Sequence, residues 1–121
     1  PVRQWVLSMP FELRYRLAFD RSLTTALLGA FVRALFASQR RRARERYGVA
    51  PTRCGAVTFI QRFGGALNLN VHFHTLVLDG VYETLPRASG LRFRALPPPE
   101  LEEVARVLAN TGARFLRALA A

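Results

Sequence analysis

From about Leu67 to Leu78 the chain alternates in chemical character. Leu69, Val71, Phe73, Thr75 and Val77 fall on one side, and Asn68, Asn70, His72, His74, Leu76 and Leu78 on the other. A run of that length and period is a β-strand, because side chains two residues apart share a face of a sheet. The first set suits a core covered by helices. The second is polar over its first four positions and turns apolar only towards Asp79. The strand therefore demands a sheet with one buried face, and it stands both histidines of the chain side by side on the other.

The segments around it supply the rest of such a sheet. Another β-rich run, CGAVTFIQRF, ends at Gly64-Gly65, so an antiparallel hairpin is expected, with Asp79-Gly80 as the next turn. QWVLSM, from Gln4 to Met9, alternates Trp5, Leu7 and Met9 against Gln4, Val6 and Ser8, which predicts a strand ended by Pro10. Leu91 to Ala95 is a candidate short strand. Helical spacing places Phe11, Tyr15 and Phe19 on one side of a short helix. Leu23, Leu27, Phe31 and Leu35 mark a longer one, capped by Asp20 or Ser22 and stopped near Tyr47 by Gly48. A last helix from about Pro99 to Leu119 carries Glu100, Glu102 and Glu103 in its first turn. Its apolar face is expected to be Leu101, Val104, Leu108, Phe115 and Leu119. The fold class is thus α+β: an antiparallel sheet with flanking helices, in one domain over residues 1–121.

Charge narrows the function. The formal net charge is +10 over 121 residues, and every one of the eighteen basic residues is arginine. So basic a domain is expected to meet a polyanion, and guanidinium groups match phosphate in a bidentate way. Arg40, Arg41, Arg42, Arg44 and Arg46 crowd the end of the long helix. Arg53 and Arg62 flank or sit within the first strand of the hairpin. They are candidate phosphate contacts; the alternative is a solvated helix end and solvent-facing strand residues. Arg92 and Arg94 carry the same ambiguity. With Cys54 as its only cysteine the chain forms no internal disulfide and no cysteine zinc site, which fits a reducing compartment. No apolar stretch is long enough to span a bilayer, and a membrane partner is not expected.

His72 and His74 can project towards one ion, with Phe73 anchoring the strand behind them. Gln4, Ser8, Gln61, Asn70 and Asp79 are the candidates for a further ligand, and Asn68 and Asn70 can orient the rings. Two polar strand histidines without a task would show the same spacing.

QWVLSMPFELRYRLA followed by VTFIQRFGGALNLNVHFHTLVLDGVY resembles the core of the transposases of the insertion sequence ninety-one type. These are two-tyrosine members of the HUH endonuclease superfamily. The resemblance implies an RRM- or ferredoxin-like core with the histidine strand near the middle of the sheet. It implies that His72 and His74 hold a divalent ion, magnesium or manganese. It also implies single-stranded DNA as partner, a tyrosine nucleophile that links covalently to the cut strand, and a bacterial cytoplasmic setting at the nucleoid. Tyr15 and Tyr47 precede the histidines, Tyr82 follows the turn directly, and the last helix has no tyrosine. The nucleophile is therefore expected outside this stretch, as is the family's zinc-binding segment, and the stretch alone is expected not to cut DNA. The rival reading is a non-catalytic, RRM-like nucleic-acid-binding module.

Overall fold

In a computed structural model, residues 2–49, 51–63, 69–86 and 90–120 are described. Their order is β1 (Val2–Ser8), α1 (Phe11–Phe19), α2 (Arg21–Tyr47), β2 (Thr52–Arg53), β3 (Ala56–Phe63), β4 (Leu69–Leu78), β5 (Gly80–Leu85), β6 (Gly90–Ala95) and α3 (Leu101–Ala120). The strands make two antiparallel sheets, β1-β4-β3 and β2-β5-β6. The histidine strand is the middle one of the first. The Gly64-Gly65 turn and Asn68 lie outside the described residues.

The alternation in β4 sets the layers. Val71, Phe73, Thr75 and Val77 are buried to 2% exposure or less, while His72, His74, Leu76 and Leu78 are half-buried. Register carries the division to the edge strands. Leu7 lies opposite Phe73 and Trp5 opposite Thr75, whereas Val6 lies opposite His74 and Ser8 opposite His72. On β3, Ile60 faces Phe73, Phe59 faces His74 and Gln61 faces His72. One face of the sheet thus joins Leu17, Leu27, Phe31 and Leu35 of the helices in a single core. The other face stays open, with Val6, Val57 and Phe59 each more than half exposed.

The long helix is built from local signals. The Asp20 carboxylate accepts the Leu23 amide at 3.0 Å, satisfying one of the first-turn donors. At the far end Gly48 takes a left-handed φ of 67° and its amide reaches the Arg44 carbonyl at 2.8 Å, where a side chain would be strained. In between, buried Gln39 donates to the Leu78 carbonyl at 2.8 Å and pins the helix to the end of β4.

Two expectations are corrected. Asp79-Gly80 does not reverse the chain. It is the joint at which β4 passes into β5, an additional strand. The Asp79 carboxylate is buried and pairs with Arg3 Nε at 2.9 and 3.0 Å, and the Asp79 carbonyl accepts the Leu96 amide. The α3 face is also rotated. Phe115 is buried, but its buried companions are Val107 and Thr111, while Leu101, Leu108 and Leu119 are exposed. Spacing identifies residues that share a side of a helix; the docking against α2 takes only the margin of that side.

The α2–α3 contact is clamped by Glu103, which accepts from Ser38 Oγ at 2.5 Å and from Arg41, with Arg106 3.6 Å away. Burial works to raise the Glu103 carboxyl's pKa. Hydrogen bonds from Arg41 and Ser38, and the charges of Arg41 and Arg106, outweigh it and hold the group below its ordinary range. A depressed folded pKa contributes stability above the unfolded value and loses it as pH falls through the folded one. Glu103→Gln is therefore expected to cost about 1–3 kcal/mol at neutral pH. It should also flatten the acid limb of stability below about pH 4.5. Urea denaturation across a pH series reads both effects.

Candidate functional site

The open face of the first sheet collects His72 and His74 of β4 with Gln4 and Ser8 of β1 and Gln61 of β3, while the Asn70 side chain, like Asn68, lies outside what is described. The His74 ring sits between Val6 on β1 and Phe59 on β3, with Gln4 Nε2 2.8 Å from its Nδ1. His72 lies between Ser8 and Gln61, with Ser8 Oγ 3.3 Å from its Nδ1. The two ring centroids are 6.0 Å apart at 66°. Both Nδ1 atoms are thus engaged by the same edge strand. His74 Nε2 is different: it is buried and has no hydrogen-bond partner among the described residues.

A buried, unpartnered ring nitrogen costs free energy unless a ligand meets it. The chemistry of the donor set suits a metal ion. Each metal–nitrogen bond is about 2.1 Å long, so two rings 6.0 Å apart are within reach of one ion. Gln4 controls whether Nε2 is available. With its amide nitrogen towards Nδ1, a neutral His74 carries its proton on Nε2. Half a turn of the amide presents Oε1 instead, draws the proton to Nδ1 and frees the Nε2 lone pair. Ser8 Oγ can accept from His72 Nδ1 in the same way.

Among the further candidates, the register places Gln4, Ser8 and Gln61 on the histidine face. Asp79 is on the covered face, paired with Arg3, and cannot share an ion with the histidines. Its odd number on an alternating strand already carried that signal. No group of three His, Cys, Asp or Glu side chains able to hold a metal is present among the described residues. A third protein donor from these residues would therefore be an amide or a hydroxyl.

The open face continues past Leu78. A shallow depression of about 340 Å³ at His74 is lined by Gln4, Phe59, Ile60, Gln61 and Leu76. Beyond it an apolar hollow of about 440 Å³ runs between Val2, Val57, Leu76, Leu78, Gly80 and Tyr82. Tyr82 packs against Phe93 with centroids 5.3 Å apart and the rings tilted by 60°, and Arg53 lies opposite Tyr82 on the same face.

The arginines divide. Arg62 is exposed next to Gln61 and reaches the Ala18 carbonyl at 3.4 Å. Arg41 is tied to Glu45 and Glu103, and Arg42 donates to the Pro97 carbonyl; burial lowers the Arg42 pKa against the pull of Glu103. Arg40 lies over the Phe36 ring and Arg46 over the Tyr47 ring, while Arg44 is exposed. All five stand on α2, across the sheet from the histidines. The structure does not bring that cluster to the histidine pair.

None of the three tyrosines adjoins the pair. Tyr47 donates to the Ala95 carbonyl, Tyr15 stacks on Phe19, and Tyr82 is eight residues beyond His74, on the order of 26 Å along the strands. Burial pushes the Cys54 thiol up, which leaves it a poor nucleophile. No described helix is long and apolar enough to cross a membrane.

Fold and site together define a basic α+β domain with a histidine pair on the open face of an antiparallel sheet. Residues 55–108, from the start of β3 into α3, match the model of a family described as "Putative transposase". The matched segment contains His72 and His74 and supports a transposase role for the chain. Comparison with curated proteins and with solved structures gives no match.

Proposed function

We propose that the chain is the metal- and strand-holding part of a two-tyrosine HUH transposase, acting on single-stranded DNA with a tyrosine supplied from outside these residues. The observation that carries the reading is the buried His74 Nε2 beside His72 on the central strand, both rings steadied through Nδ1 by β1. His72 and His74 would hold a divalent ion, magnesium or manganese, with Gln61 and Ser8, both opposite His72, as the further donors by register. Such an ion, when bound, supplies Lewis-acid polarisation of a phosphodiester. The chain's own residues do the rest. Val6 and Phe59 flank His74 and limit water at its ring, and Gln4 and Ser8 set the tautomers. Arg53 at one end of the open face gives the phosphate backbone a counter-charge, Arg62 adds one from β3 beside α1, and Arg40 and Arg44 add to the general field.

A second reading, an RRM-like module without chemistry, is favoured by exposed Phe59 and by Tyr82 with Arg53 on the same sheet face. Manganese titration followed by histidine side-chain NMR separates the two. Saturable broadening of both histidines is the expected result, with manganese affinity measured by EPR lost in the His72→Ala/His74→Ala variant while affinity for an unlabelled oligo-dT stays within about threefold. Neither ring responding would overturn the metal assignment, and retained oligo-dT binding would then leave the module reading.

A further inference from the structure

The short helix α1 turns three large aromatic side chains outward. Phe11, Tyr15 and Phe19 recur every four residues, about 6 Å apart along the helix, and are 79%, 66% and 69% exposed. The Tyr15 and Phe19 rings stand 4.9 Å apart at 51°. The packing is done by other residues: Leu17 is wholly buried, and Leu13 and Ala18 rest against the core. A contiguous exposed stripe of this size marks an interaction site.

We propose that this stripe is a stacking surface for the bases of single-stranded nucleic acid passing the histidine end of the sheet. Its position argues for this. α1 starts three residues after Ser8, the neighbour of His72, and its last turn receives Arg62 from β3. The helix therefore crosses the His72 end of the sheet from one edge strand to the other.

Charge argues for a polyanion. Arg16, Arg21 and Arg62 are exposed around the stripe. Of the two acidic residues nearby, Glu12 is exposed and the Asp20 carboxylate is engaged in capping α2. Unpaired bases stack on aromatic faces whatever their sequence, while arginines follow the phosphates. A duplex, its bases already stacked, gains from the arginines alone.

This inference rests on the single-stranded DNA part of the proposed function and not on its metal. The test uses fluorescein-labelled dT12 and a twelve-base-pair duplex. Phe11→Ser/Tyr15→Ser/Phe19→Ser should bind dT12 at least about tenfold more weakly, the equivalent of one lost stacked base, with duplex binding within twofold. Tyr15→Leu, which keeps the apolar surface but removes the ring, should weaken dT12 binding in the same sense. No binding of dT12 by the unaltered chain would overturn both this inference and the DNA reading. Normal binding by the unaltered chain with no change in the triple variant would overturn this inference alone. Equal weakening on both DNAs would overturn the assignment to base stacking. Loss of anionic-vesicle binding, or of a dimer in sedimentation, at unchanged dT12 affinity would assign it to a lipid surface or a second copy instead.

Discussion

Gly80→Ala is expected to cost about 3 kcal/mol, a large fraction of the stability of a domain this size. A Cβ at this position would lie 2.4 Å from Phe93 Cζ and 2.5 Å from the Arg94 carbonyl oxygen. The ring can turn away, but the carbonyl belongs to the ladder between β5 and β6, in which Val81 faces Arg94. Relief therefore requires β6 to move. Backbone conformation is not the issue, since among the described glycines only Gly48 has a positive φ. The damage should be local first. The second sheet has a small core of its own, Ala43, Val49, Val81 and Leu96, whereas the histidine sheet belongs to the main one. Amide exchange should accelerate in β5 and β6 before β4. Wild-type stability in urea would mean that Phe93 and its strand shift without cost.

The same joint shows where sequence reasoning reaches its limit. Asp79-Gly80 carries the composition of a turn, yet the chain runs on, because Arg3, 76 residues earlier, takes the carboxylate and Gln39 takes the Leu78 carbonyl. Neither partner is visible in local pattern. The faces of β4 were legible, since alternation is a property of the strand itself. So were both ends of α2, since Asp20 and Gly48 act within four residues of themselves. What alternation cannot supply is register. Gln4, Ser8 and Gln61 were candidates by composition, and pairing with β1 and β3 placed them beside His74 and His72. Helix periodicity has the same gap: Phe11, Tyr15 and Phe19 share a side of α1, but it is the side that the core does not use.

Replacing Phe73 by alanine is expected to be the most damaging single change on the histidine strand, at about 3–5 kcal/mol. The ring is fully buried, lies opposite Leu7 and Ile60, and belongs to the main core with Leu17, Phe31 and Leu35. Its removal leaves a cavity that two edge strands and two helices cannot all collapse into. Phe59→Ala, an aromatic loss on the open face where the ring is more than half exposed, should cost well under half as much. Equal costs in urea denaturation would contradict the assignment of the faces. The change also reaches the site. Phe73 is the residue that seats β4 between His72 and His74, so filling its cavity moves the backbone on which both imidazoles are mounted. Under conditions where Phe73→Ala is still folded, manganese should therefore bind it more weakly than it binds Phe59→Leu, although neither phenylalanine offers a ligand atom. A hydrophobic residue between two histidines then has a physical purpose: its burial on one face fixes the spacing of the pair on the other.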